Sequence, residues 1–183
     1  MTLCAYARAR STHRSDMQRQ PTLLSSCARA ATAAEARYRI SSPPISPRES
    51  RVIGLDEPSA RVVRDIAGRV WDGGHFLVFE TALPDDALLR HASGGTALLS
   101  EELDGADTVV MIATEAESAE AASIIGDAAA ARGIMSAGLV LPGNGPGGTR
   151  SDGVVSALRP NAMVLVVLRE ADDLAEVLSA LRV

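Results

Sequence analysis

The chain has 183 residues, 46% of them hydrophobic but only 3% aromatic, so a core of one domain's size must be aliphatic. Charge is divided: residues 1–51 carry nine arginines against three acids, net +6, whereas residues 52–183 carry nine against twenty, net −11. An acidic domain repels phosphates, which argues against nucleic acid as its partner, and no apolar run approaches the roughly 18–20 residues of a membrane-spanning helix.

Residues 1–50 form a basic Arg/Ser/Pro-rich arm that ends in Ser41-Ser42-Pro43-Pro44-Ile45-Ser46-Pro47, a proline cluster that forbids helix. Cys4 and Cys27 both lie in it. The remainder therefore has no disulfide framework, which fits a reducing, cytoplasmic setting. Leu24-Ser25-Ser26-Cys27 matches a short lipoprotein cleavage pattern, but Met17-Gln18-Arg19-Gln20-Pro21 ahead of it supplies no apolar entry segment. An Arg- and Ser-rich, acid-poor start also resembles an organelle transit peptide. Against that stands the absence of lysine beside abundant alanine, a composition that suggests a bacterial source. The arm is expected to be disordered, or to precede the true start.

Residues 51–183 are predicted to alternate strand and helix. Arg51–Leu55 reads as a short strand, and Asp56-Glu57-Pro58-Ser59 as a helix entry with a capping acid and an early proline. Val63, Ile66, Ala67 and Val70 follow at helical spacing until Asp72-Gly73-Gly74. His75–Glu80 is a second strand. Residues 82–95 suggest a turn and a short helix, and Thr96–Leu103 a further helix. Thr108–Ala113 is continuously apolar, as in a strand covered on both faces, and Thr114-Glu115-Ala116-Glu117 has the form of a capping box. Ala121, Ile124, Ile125 and Ala128 form a helical stripe that runs out at Gly133. Ile134–Leu141 is the next strand. After a Gly/Pro-rich loop, Ser151-Asp152 can cap a helix carrying Val154, Val155 and Leu158. Met163–Leu168 is a fifth strand, and a last helix presents Leu174, Val177, Leu178 and Leu181 on one face. The expected fold class is α/β: a Rossmann-like three-layer sandwich with a mostly parallel sheet of about five strands.

The order of elements resembles the nucleotide-binding half of the tubulin/FtsZ-like GTPases. The resemblance covers Val52-Ile53-Gly54, Phe76-Leu77-Val78-Phe79-Glu80-Thr81, Leu103-Asp104-Gly105-Ala106-Asp107-Thr108-Val109-Val110 and Ala131-Arg132-Gly133-Ile134. It implies glycine-rich phosphate loops after the first and third core strands. Those positions read Gly54-Leu55-Asp56-Glu57-Pro58 and Thr114-Glu115-Ala116-Glu117-Ser118, with carboxylates where an anion would sit. The family's second half is not expected either. GTP hydrolysis by the family mechanism is not expected, and no family residue role carries over.

In open parallel sheets, ligands bind at the carboxyl ends of the strands. Asp56, Thr114 and Glu115 belong to that edge. So does the 142–152 loop, where Asn144, Gly147 and Gly148 permit close backbone approach, Arg150 supplies a forked cation, and Thr149 and Ser151 supply hydroxyls at a helix start. Asp56, Glu57, Glu115 and Glu117 could converge on a cation, but helix capping accounts for Asp56 and Glu117 without one, so no metal is expected. Of the two histidines after residue 51, His75 and His91, His75 reads as an ordinary surface or edge histidine, and Trp71 and Phe76 read as packed together. No complete catalytic set is evident, and no cofactor can be named.

The leading expectation is a non-catalytic or accessory domain acting through a protein partner or self-association. The rival is a ligand-binding or enzymatic domain that takes a nucleotide, CoA-like or phosphorylated metabolite through the glycine-rich loop. A third possibility makes the basic arm a tether for nucleic acid or an anionic membrane.

Overall fold

The computed structural model describes residues 48–141 and 149–183. Residues 1–47 of the arm and residues 142–148 of the glycine-rich loop lie outside the described residues, as do the expectations attached to them. Within the described residues the chain is α/β, with a seven-stranded, mostly parallel sheet and helices on both of its faces.

The sheet begins at β1 (Ser50–Gly54), buried along its whole length. Helix α1 (Glu57–Ile66) follows, its start fixed by Asp56 as N-cap, a capping box with Ser59 and a proline in the first turn. It ends at Ile66, so the predicted stripe stops short and Val70 is 95% exposed. The Trp71 indole N–H instead donates to the Ile66 carbonyl at 3.0 Å, and its ring packs on Phe76 with centroids 5.4 Å apart.

β2 (Gly74–Ala82) is followed by β3 (Ala87–His91), β4 (Thr96–Leu98) and a single-turn helix α2 (Leu99–Glu102). The expected short helix in 82–95 and the helix from Thr96 to Leu103 are thus corrected to a β-hairpin extension with one turn of helix. Ala87 and Leu89 are buried while their neighbours point outward, a period of two that spans too few residues to be told from a helical one. Gly94 and Gly95, both at positive φ, make the reversal between β3 and β4. These strands account for the sheet having seven strands rather than about five.

β5 (Thr108–Ala113) is buried throughout, as its apolar run predicts. A 3₁₀ turn (Ala116–Ser118) leads into α3 (Ala119–Ala131), then β6 (Met135–Val140), α4 (Thr149–Leu158), β7 (Val164–Val167) and α5 (Leu174–Ala180). Helix α4 starts two residues before the predicted cap at Ser151-Asp152.

The strand order is β4-β3-β2-β1-β5-β6-β7. β2, β1, β5, β6 and β7 are parallel, and β3 and β4 add on antiparallel. Side chains alternate across the sheet. Ile53, Leu77, Leu89, Val109 and Met111 therefore meet Leu99, Leu103, Ile125 and Leu158 from α2, α3 and α4. Val52, Phe76, Val110 and Ile112 meet Val63, Ile66, Leu174 and Leu178 from α1 and α5. β2, β3 and β4 build outward on one side of β1, and the chain then crosses to β5 on its other side, so the sheet is extended in opposite directions from β1. The crevice between the carboxyl ends of β1 and β5 is where sheets of this order place ligands.

Candidate functional site

That crevice is lined by the turns after β1 and β5. Gly54 ends β1 so close to α1 that a Cβ there would lie 3.0 Å from the Ala60 nitrogen. The helix is thereby drawn down onto the strand end and carries its N-cap, Asp56, toward β5. One oxygen of Asp56 accepts the Ser59 N–H at 2.8 Å. The other accepts three donors from the turn after β5: Thr114 N–H at 2.7 Å, Glu115 N–H at 3.0 Å and the Ser118 hydroxyl at 2.8 Å. The Ser59 hydroxyl lies 3.1 Å from the Asp56 nitrogen and closes the capping box.

This arrangement revises the expectation for Thr114-Glu115-Ala116-Glu117. Neither the 3₁₀ turn nor α3 has a side-chain cap of its own, so the local capping box does not form. Asp56 reaches across from α1 and supplies the acceptor instead. The Ser59, Thr114 and Glu115 N–H groups are thus all taken by one carboxylate of the chain itself.

Three of the predicted site residues, Asp56, Thr114 and Glu115, are thus brought together. Thr149, Arg150 and Ser151 open α4, which packs beside the same turn: a Cβ on Gly153 would lie 3.1 Å from Ala116 Cβ. Asn144, Gly147 and Gly148 fall outside the described residues. The four acids considered for a cation do not converge. Asp56 is engaged by the N–H groups, and Glu57 pairs with Arg61 and Arg64 at 3.4 and 3.6 Å. Among the described residues, no group of three His, Cys, Asp or Glu side chains could hold a metal ion.

A second polar cluster gathers at the opposite, amino end of the strands. The Glu102 carboxylate, on α2, lies 3.2 Å from His75 Nδ1, 3.3 Å from His91 Nε2 and 3.2 Å from Arg51 Nε. Arg51 also donates to the Glu102 carbonyl at 2.6 Å and is only 6% exposed. His75 sits at the sheet's partly exposed rim, as the sequence suggests, and His91 is partly exposed beside it, but their convergence on Glu102 was not legible. The one sequence signal was an arginine opening an otherwise apolar strand.

Two surface depressions of about 290 Å³ lie away from both clusters. One is bordered by Pro84, Asp86, Ser100, Ile124 and Arg132. Burial alone would push the Asp86 carboxyl up. Hydrogen bonds from the Ser100 hydroxyl, Ala87 N–H and Ser100 N–H, with the Arg132 charge, outweigh it and hold the group below the ordinary aspartate value. The other depression lies between α1 and residues 171–175, beside Arg61, Asp65 and Arg69. No family model matches the chain, and no curated protein matches it either.

Proposed function

We propose that this chain is a Rossmann-like accessory domain that acts through protein contacts, either with a partner or with itself, and not through bound nucleotide. The observation that carries this reading is Asp56. Its carboxylate takes the Ser59, Thr114 and Glu115 N–H groups and the Ser118 hydroxyl, the donors a phosphate would need at this position. A ligand phosphate would have to displace a carboxylate already held by four hydrogen bonds and would meet its charge at close range. The acidity of residues 52–183 adds repulsion of the same sign. In the resemblance to tubulin/FtsZ-like GTPases, this is a nucleotide half whose phosphate cradle is closed from within.

The test is thermal unfolding of the full chain with inorganic phosphate, ATP, GTP, NAD and coenzyme A, each at millimolar concentration. The reading expects no stabilisation of the wild type. It expects Asp56→Ala, with its N–H groups freed, to be stabilised by phosphate. Stabilisation of the wild type that is lost in Arg150→Ala would overturn the proposal in favour of a metabolite site on the glycine-rich loop.

A further inference from the structure

We infer that the β7 edge is the contact surface and that its occupant is a second copy of this chain, paired antiparallel so that the two sheets become continuous. This rests on the reading of the domain as one that acts through protein contacts, and it names the partner.

Among the described residues, β7 is hydrogen-bonded only to β6, so it presents a row of backbone donors and acceptors along its other side. Strands in that position are ordinarily blunted by a charge, a proline or a bulge. Met163-Val164-Leu165-Val166-Val167-Leu168 contains no charge and no proline, and its register with β6 is regular. The opposite edge, β4, has only three residues. The large apolar side chains left exposed also gather here: Met163 at 76%, Val164 at 43% and Val167 at 52%, against Val70 and Leu83 elsewhere. Both sides of the strand contribute, since Leu165 packs with the α3–α4 face and Val166 with the α1–α5 face.

Two features select a second copy. The first is register. Residues directly opposed in an antiparallel pair share a face of the sheet, so a two-fold axis along the sheet normal must lie midway between one residue and its own copy. An axis between Leu165 and its copy sets Val164 against Val166 of the other copy and Met163 against Val167. Every exposed apolar side chain of the edge then meets another apolar one. The second feature is charge. Exposed Arg159 precedes β7, and Arg169, Glu170, Asp172 and Asp173 follow it, leaving that end net acidic. Antiparallel pairing brings the Arg159 end of one copy to the acidic end of the other, whereas parallel pairing sets like beside like.

The experiment measures the mass of the full chain in solution by light scattering at roughly 100 μM, well above the micromolar dissociation constants of weak specific pairs. The expected mass is twice that of one chain. Val164→Lys with Val167→Lys should give one chain's mass, with unchanged circular dichroism, while Val70→Lys should remain paired. Register is read independently with Met163→Cys and Val167→Cys combined, in a chain whose Cys4 and Cys27 are serine. Mild oxidation should link two copies covalently, and Val70→Cys in the same background should not. A single-chain mass for the wild type, a paired double-lysine variant, or no crosslink through residues 163 and 167 would each overturn the inference. A monomeric wild type that still ignores phosphate and nucleotides would sink only the self-pairing, because the ligand screen is blind to oligomeric state.

Discussion

At the scale of single residues, two carboxylates join parts of the chain that are distant in sequence. Asp56 caps α1 and also satisfies N–H groups 58 and 59 residues further on. Asp56→Ala leaves these donors without their acceptor and removes a helix cap. The expected cost is about 2–4 kcal/mol, from a cap worth about 1 and bonds to a charged group worth about 1.5–3. Urea unfolding measures it, and a loss under about 1 kcal/mol would show that the turn after β5 has other support. Glu102 has a comparable place at the amino end, where it faces the buried Arg51. Removing either partner of a buried pair leaves the other without its counter-charge, but without Arg51 the Glu102 carboxylate still has the His75 and His91 rings at 3.2 and 3.3 Å. Glu102→Ala should therefore cost about 3 kcal/mol, and Arg51→Met distinctly less, since Glu102 keeps both imidazoles. Equal losses in denaturant midpoints would contradict this ordering.

At the scale of elements, the hairpin extension and α2 are fastened by Asp86. Its carboxylate accepts the Ala87 N–H at 2.7 Å, the Ser100 N–H at 3.1 Å and the Ser100 hydroxyl at 2.5 Å. The folded state holds this carboxyl below its unfolded value. Its contribution is therefore present above about pH 3.9, the ordinary aspartate value, and is lost as pH falls through the lower folded value. Wild-type stability should drop more steeply than that of Asp86→Asn below about pH 4, as followed by urea midpoints; parallel curves would rule the contribution out. The packing of α3 on residue 161 is equally close. A Cβ on Gly126 would stand 2.6 Å from Asn161 Cβ and 2.9 Å from its carbonyl oxygen. Gly126→Ala removes a flexible helix residue, which by itself favours the helix, yet backbone must move to admit the methyl. The crowding should dominate, with a net loss of about 1–3 kcal/mol in unfolding free energy. A gain in stability would mean that the segment after α4 yields easily.

At the scale of the whole molecule, the seven-stranded sheet has Asp56 holding the turn after β5 at the carboxyl end of its central strands, and among the described residues β7 is paired on one side only. These two features together support a role in assembly. The ligand screen and the mass measurement address them separately. If both expectations hold, the domain contributes a surface rather than a reaction, and loss of self-pairing in the double-lysine variant would be the way to remove its activity without unfolding it.

Much of this was determined by the sequence alone. The buried run Thr108–Ala113, the Asp56-Glu57-Pro58-Ser59 helix start and the stripe through Leu174 and Leu178 depend on neighbours within a few residues, and local periodicity and capping chemistry report such neighbours directly. The hairpin at residues 87–98 was not legible, because strands of five and three residues carry too few periods to exclude a helix, and their pairing with β2 is a long-range choice. The carboxylates Asp56 and Glu57 could be read as standing where a phosphate would be expected. Only the tertiary structure decided that Asp56 reaches the turn after β5 and takes its N–H groups, and that Glu102 gathers Arg51, His75 and His91. Hydrogen-bond partners separated by tens of residues leave no periodic trace in the chain; strand order alone brings them together.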